Sequence, residues 1–217
     1  MEKLLCPSIM NLATEDLKDQ ILRLDAAGVD IFHLDIMDGQ FVPNFGMSLA
    51  EIDLVRRYTD KLLDVHMMVK DPGRYVELVA SHGCDIIYIH PEADVNPTAT
   101  LAKIKQLGKK AGLVINPGTA LETIRPMYPL LDYLMLMTVN PGFCGQSYLP
   151  FLDAKVEQAV KEREPWGFKI VIDGGVDKNV MTRLSAMGVE GYVLGRLILF
   201  DQVETDYMKL VEMMRSL

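Results

Sequence analysis

The sequence predicts a (β/α)8 barrel, on three observations. Eight short apolar runs alternate with stretches of helical spacing along the chain. The runs are apolar throughout instead of alternating with polar residues, as expected of parallel strands buried on both faces. Asp35, His66 and Asp173 fall at or beside the ends of their runs, where a barrel of this kind carries its reactive groups. With 217 residues, 49% of them hydrophobic, the chain suffices for one substantial core, so a single barrel spanning 1–217 is expected.

The first strand is expected near 4–9, and Leu17, Ile21 and Leu24 then recur at helical spacing after Thr14 until Gly28 stops them. A second strand at 30–36 is followed by Ser48 and Glu51, whose spacing is that of a capping box. After a strand at 61–68, Asp71-Pro72 opens a helix that Gly83 closes. After another at 85–90, Asn96-Pro97 and Gly108 do the same. The remaining strands are expected at 111–116, 132–138, 168–173 and 191–195, with helices at about 119–126, 151–163, 177–187 and 203–216. The competing architecture is an open doubly wound sheet. If it bound a dinucleotide it would need a GxGxxG turn after the first strand, and Met10-Asn11-Leu12-Ala13 stands there instead.

Composition excludes several functions. A net charge of -8 and the lack of any Lys/Arg run argue against a nucleic-acid partner, which needs clustered positive charge. No stretch of eighteen uncharged apolar residues exists, and Met1-Glu2-Lys3 leads directly into Leu4-Leu5-Cys6 without the pattern of a secretory leader. No membrane association and a cytoplasmic location are therefore expected. The three cysteines, Cys6, Cys84 and Cys144, show no CxxC spacing, so neither a disulfide framework nor a thiolate metal site is signalled.

The chemistry concentrates in two runs. In His33-Leu34-Asp35-Ile36-Met37 and Asp64-Val65-His66-Met67-Met68 the two-residue period of a strand puts His33, Asp35 and Met37 on one face, and Asp64, His66 and Met68 on another. With Asp173 at the end of a third run, His33, Asp35, His66 and Asp173 can surround one divalent cation. Such nitrogen and oxygen donors suit zinc first, and also iron(II), manganese or cobalt. Left unpaired inside an apolar barrel, each would cost about 1–3 kcal/mol. Met37, Met68 and Met137 share these faces, either as core filler or as a weakly polar wall around a developing anion. Gly142 and Gly145 after the sixth strand, Gly174-Gly175 after the seventh and Gly195 after the eighth stand where this fold holds phosphate on backbone N–H groups. Cys144 reads as a small filler, and His90 at the end of the fourth strand as either pocket rim or structural. Together these residues point to a metal-assisted enzyme acting on a phosphorylated sugar.

Six motifs carry a resemblance over nearly the whole chain: Cys6-Pro7-Ser8-Ile9, His33-x-Asp35-x-Met37-Asp38-Gly39-x-Phe41-Val42-Pro43-Asn44, His66-Met67-Met68-Val69, Asn116-Pro117-Gly118-Thr119, Met137-Thr138-Val139-Asn140-Pro141-Gly142-Phe143 and Asp173-Gly174-Gly175. In these the chain resembles the ribulose-phosphate 3-epimerase family. The resemblance implies a barrel of the ribulose-phosphate-binding type and a divalent metal on His33, Asp35, His66 and Asp173. It also implies inversion at C3 of a ketose phosphate through an enediolate, with Asp35 and Asp173 as the acid/base pair. It further assigns Ser8 and His66 to substrate contacts, Met37, Met68 and Met137 to a cap, and Gly142, Gly145, Gly174, Gly175 and Gly195 to phosphate. A homo-oligomer is implied as well.

Two departures from the family pattern stand out. Arg196 follows Gly195 where a small hydroxyl residue is common; its guanidinium either pairs with phosphate or points outward. Cys144 stands where glycine is commoner. With His90-Pro91-Glu92 and Asn44-Phe45-Gly46-Met47-Ser48, these lean toward the branch that interconverts allulose 6-phosphate and fructose 6-phosphate, although ribulose 5-phosphate and xylulose 5-phosphate remain the default pair. Related decarboxylases and hexulose-phosphate synthases carry a lysine between paired aspartates, and between Asp35 and Asp38 stand Ile36 and Met37. A non-catalytic sugar-phosphate sensor is the remaining alternative.

Overall fold

The computed structural model describes residues 3–217, so the Met1-Glu2 start considered above lies outside the described residues. Eight parallel strands form one sheet: β1 (Leu4–Pro7), β2 (Ile31–Met37), β3 (Leu62–Met68), β4 (Ile86–Ile89), β5 (Lys110–Ile115), β6 (Tyr133–Met137), β7 (Lys169–Asp173) and β8 (Gly191–Leu194). Their order is β1-β8-β7-β6-β5-β4-β3-β2, which brings β1 and β2 together as the last seam. Seven α-helices lie between and after them: α1 (Leu17–Ala27), α2 (Leu49–Tyr58), α3 (Val76–Ser81), α4 (Pro97–Gln106), α5 (Asp153–Glu162), α6 (Lys178–Met187) and α7 (Tyr207–Ser216). The predicted (β/α)8 barrel is therefore the observed one.

Alternation along each strand divides the apolar residues into two layers. Phe32, Leu34, Leu63, Val65, Leu134, Leu136, Ile170 and Ile172 face outward into the layer beneath the helices. Ile31, Ile86, Tyr88, Val114, Tyr133, Met135, Val171 and Val193 fill the barrel interior. Gly112 on β5 makes room for that filling, since a Cβ there would lie 2.2 Å from the Tyr88 ring. Strands with apolar side chains on both faces are what produced the continuous runs in the sequence.

Local chemistry sets the element ends as expected in most places. Glu51 accepts the Ser48 N–H at 2.6 Å to open α2, and Asp177 accepts the Val180 N–H at 2.8 Å to open α6. Gly28 and Gly188 end α1 and α6 in the left-handed conformation, with φ of 84° and 101°. Two predictions fail. The helix expected at 119–126 is instead a pair of 3-10 turns, Leu121–Thr123 and Arg125–Leu130. Pro126 and Pro129 each lack the N–H that an α-helix needs and clash with the preceding turn. The single helix expected after Pro72 is broken into a 3-10 turn, Pro72–Arg74, and α3. A π-helical turn at Arg196–Phe200, directly after Gly195, was not expected at all.

One carboxylate anchors the seam between β1 and β2, alongside a parallel bridge between Ser8 and His33. Asp30 accepts the Leu5 N–H at 2.8 Å and returns its own N–H to the Leu5 carbonyl at 3.0 Å. Arg215 of α7 grips the same carboxylate with contacts of 2.9 and 2.8 Å. Asp30→Ala is expected to destabilise the protein by about 2–3 kcal/mol in urea melts, because the Leu5 N–H and the Arg215 charge lose their partner together. Asp30→Asn, which keeps an acceptor, should cost less than half as much.

Candidate functional site

Strand register assembles the site. Along the β2–β3 pair His33 sits beside Asp64, Asp35 beside His66 and Met37 beside Met68, and on β6–β7 Met137 sits beside Asp173. Because every second residue points inward, these side chains converge at the C-terminal end of the barrel, as the fold requires of reactive groups.

Four of the predicted residues meet. One donor atom from each of His33, Asp35, His66 and Asp173 lies within 4.8 Å of the other three. His33 Nε2 is 3.2 Å from Asp35 Oδ1, and His66 Nδ1 is 3.1 Å from the same oxygen and 3.6 Å from Asp173 Oδ2. Ser8 donates its hydroxyl to the other Asp35 oxygen at 2.8 Å. His33 and His66 are fully buried, Asp35 is 5% exposed, and the Asp173 side chain is 15% exposed. The two carboxylates thus face a cavity while the imidazoles stand behind them.

Burial and charge drive the two carboxyls apart. Asp173 is carried up to about 6, first by burial and then by the Asp35 charge, against the opposing pull of His33. Burial also works to raise Asp35, but His33 and His66 outweigh it and hold that carboxyl far below the usual range. Burial lowers the His33 pKa, yet Asp64 and Asp35 on either side more than compensate and hold it well above the ordinary value. Two carboxyls of unequal proton affinity on one cavity are the equipment of acid/base chemistry.

A cavity of roughly 640 Å³, open solvent at its mouth included, lies at this end of the barrel. Ser8, Asp35 and Asp173 line it together with Met37, Met68 and Met137, and so do Gly142, Gly145, Gly174, Gly175, Gly195 and Arg196. Asn44 donates to the Gly142 carbonyl at 2.7 Å, and Gln146 to the carbonyls of Asn140 and Phe143 at 2.7 and 2.8 Å. These bonds tie the loop after β6 into a fixed rim.

The comparisons with known proteins agree with this geometry. A match to the ribulose-phosphate 3 epimerase family spans residues 4–199, which is most of the chain. The chain belongs to the ribulose-phosphate 3-epimerase family. It is 40% identical over 199 residues to the ribulose-phosphate 3-epimerase of Synechocystis, covering 88% of this chain and 85% of that one. To the Escherichia coli K12 enzyme of the same name it is 38% identical over 216 residues, covering 98% and 95%. The expectation of a carbohydrate epimerase is therefore met. Solved structures of lower identity share the fold alone. A 3-hexulose-6-phosphate synthase superposes with a TM-score of 0.73 at 18% identity, covering 100% of this chain and 99% of the other. A mutant tryptophan synthase α-subunit from Pyrococcus furiosus does so with 0.70 at 13%, covering 100% of both chains.

Within the epimerase barrel the glycines differ in why they are glycine. Gly174 and Gly175 have φ of 116° and 65°, and a Cβ on Gly175 would lie 2.2 Å from the Tyr148 nitrogen. Gly195, with φ of -106°, needs neither left-handed backbone nor space, since a Cβ there would meet only Asn11 Nδ2 at 3.9 Å. Its missing side chain leaves room inside the cavity itself. Arg196 reaches the cavity too, but its Nε donates to Asp201 at 2.8 Å.

Three residues that the sequence named without a role at the site gain partners there. Asp64 Oδ1 lies 2.5 Å from His33 Nδ1, and neither Asp64 oxygen has another hydrogen-bond partner among the described residues. Its position two residues before His66, on the same face, was the available signal. His90 is fully buried, and its Nε2 is 2.7 Å from His66 Nε2. Burial lowers the His90 pKa to about 4 despite Glu92 beside it. Glu92, which follows on the loop, accepts from the Asn116 N–H at 2.9 Å and from the Thr119 hydroxyl. Nothing in the sequence paired residues 24 apart such as His66 and His90.

Proposed function

We propose that this protein inverts C3 of a ketose phosphate and interconverts D-ribulose 5-phosphate and D-xylulose 5-phosphate. The observation that carries the reading is Asp35 and Asp173 lining one cavity at the C-terminal end of the barrel, with His33 and His66 directly behind them. One carboxylate takes the C3 proton from one face of the sugar, leaving an enediolate, and the other, in its acid form, returns a proton to the opposite face. In the reverse direction they exchange roles. Ser8 orients Asp35 through its hydroxyl and is placed to meet a sugar oxygen. Met37, Met68 and Met137 cap the planar intermediate with polarizable, water-excluding surface.

His33, Asp35, His66 and Asp173 suit one divalent cation. The donor chemistry supports this: with Asp64 facing His33 Nδ1, the proton stays there, and the lone pair of Nε2 is turned toward Asp35 Oδ1 at 3.2 Å. Two electron-rich atoms so close call for a proton or a cation between them. When bound, the cation would supply positive charge that favours the oxyanion developing as C3 ionises. Zinc is the first expectation, with iron(II), manganese or cobalt accepted by the same donors. His66 serves as a ligand only: fully buried behind the carboxylates, it does not line the cavity, so the sugar contact expected of it is not kept.

Phosphate is assigned to the far side of the cavity, on backbone N–H groups at Gly142, Gly145, Gly174, Gly175 and Gly195, with the Arg196 charge nearby. Gly195→Val should then raise KM at least 10-fold with an unchanged melting temperature, because its side chain would enter the cavity. By contrast Gly175→Ala should cost about 2–3 kcal/mol of stability, since both φ and the Tyr148 backbone oppose a Cβ. Calorimetry alongside steady-state kinetics separates the two effects.

The same reading takes residues 1–217 as one catalytic domain acting in the cytoplasm as a homo-oligomer on a small-molecule substrate, without nucleic acid or membrane. No helix among the described residues is long and apolar enough to cross a membrane, which is compatible with it. The test is kcat/KM of the cation-supplied protein on ribulose 5-phosphate and on allulose 6-phosphate. A preference of 100-fold or more for the pentulose is expected. The reverse preference would move the assignment to the hexulose pair, and turnover of neither would overturn it.

A further inference from the structure

A line of polar groups runs outward from the site and is not accounted for by the acid/base pair or by the four donors. His66 Nδ1 faces Asp35 and Asp173, while its Nε2 lies 2.7 Å from His90 Nε2. The two rings stack with centroids 4.9 Å apart, and the Phe41 ring packs on His90 with centroids 4.7 Å apart. His90 Nδ1 has the Glu92 carboxylate 3.5 Å away and no closer hydrogen-bond partner. Glu92 is held in turn by the Asn116 N–H and the Thr119 hydroxyl. Lys155 of α5 fixes that loop by donating to the carbonyls of Asn116, Pro117 and Thr119 at 3.3, 2.6 and 2.8 Å.

Donor and acceptor roles along this line can be counted. A neutral imidazole carries one N–H and one lone pair, and a carboxylate only accepts. Glu92 therefore favours the N–H of His90 on Nδ1, which leaves the lone pair on Nε2. A lone pair there can only accept, so His66 must carry its own N–H on Nε2. The lone pair of His66 is then on Nδ1, turned toward Asp35 and Asp173, which is the form a cation requires. Reversing either ring would set two lone pairs or two N–H groups against each other at 2.7 Å, or turn a lone pair to the Glu92 charge.

We propose that His90 and Glu92 are positioning residues that fix His66 in the tautomer able to ligate the cation, with Glu92 setting the direction of the line from the β4 loop. This rests on the metal reading given above. It assigns to the loop after β4 a task in cation affinity, without contact between His90 or Glu92 and the sugar. The comparable task for His33 falls to Asp64, which reaches Nδ1 directly. Outer partners of metal-bound histidines typically carry 10–100-fold in affinity.

The experiment compares His90→Gln, His90→Phe and Glu92→Gln by competition for Zn2+ and Co2+ against a chelator of known affinity. The Co2+ visible spectrum and 15N chemical shifts of the histidine rings are recorded on the same samples. Gln can accept from His66 Nε2–H through its amide oxygen, and Phe cannot. His90→Phe should weaken both cations 10–100-fold, His90→Gln should stay within about 3-fold of the parent, and Glu92→Gln, which changes no bulk, should fall about 10-fold. In the parent with cation bound, 15N shifts should show His90 neutral with its proton on Nδ1, and that preference should weaken in Glu92→Gln. A purely structural role would lower melting temperature and leave the order of the affinities unrelated to acceptor chemistry. Equal affinity in all variants, or Gln losing as much as Phe, overturns the inference while leaving the metal reading intact. A parent that takes up neither cation overturns both.

Discussion

Asp173→Asn is expected to lose net epimerisation, with kcat/KM down by at least about 10³-fold, while hydrogen exchange at C3 survives for one epimer only. The asymmetry follows from opposed carboxylates. A protein left with Asp35 alone can still remove and return a proton on the Asp35 face, so one epimer exchanges with solvent and is regenerated unchanged. The other epimer presents its C3 proton to an amide that cannot accept it. Asp35→Asn should give the mirror pattern, labelling the epimer that Asp173 serves. Because Asp35 also holds the Ser8 hydroxyl and contacts both His33 and His66, its replacement should lower cation affinity more than that of Asp173. Each variant is compared at saturating cation, with occupancy measured, so that a lost base is distinguished from a lost ion. Full activity in either variant would refute the two-carboxylate account.

The second large effect is expected on chelation. Stripping divalent cations should reduce C3 exchange by about 10³-fold or more, and added zinc, cobalt, manganese or iron(II) should restore it. The melting temperature should rise with added cation, because a ligand at 1,000 times its Kd adds about 4 kcal/mol to the folded state. The pH dependence has a definite sign. In the cation-free protein Asp173 is protonated below about 6, and His33 is held above its ordinary value, so both shed protons when the ion enters. Affinity should therefore rise with pH and weaken steeply below about 6. An affinity independent of pH between 5 and 8 would contradict the ligand set.

How much of this was legible in the sequence depended on how local the cause was. The strands were readable because parallel strands covered on both faces leave unbroken apolar runs, and β2, β3, β6 and β7 appear within two residues of their expected bounds. His33, Asp35, His66 and Asp173 were readable because a period of two fixes which residues share a face. The helix expected at 119–126 failed on Pro126 and Pro129, whose effect on the backbone outweighed an apolar spacing that looked helical. Arg196 was left open between phosphate and solvent. The structure adds Asp201 as its partner, across a π-helical turn that no spacing rule would have anticipated. His90 and Glu92 gained their meaning only from β3–β4 register and from the loop after β5, which supplies the donors that hold Glu92.

The central claim is that C3 loses its hydrogen to one carboxyl and regains one from another that exchanges with water. Proton NMR in D2O, with the cation-loaded protein and xylulose 5-phosphate, tests it most directly. The account predicts that ribulose 5-phosphate appears carrying one deuterium at C3 from the first turnover. Product that retains protium at C3, or a cation-loaded protein that neither exchanges nor epimerises, would contradict it.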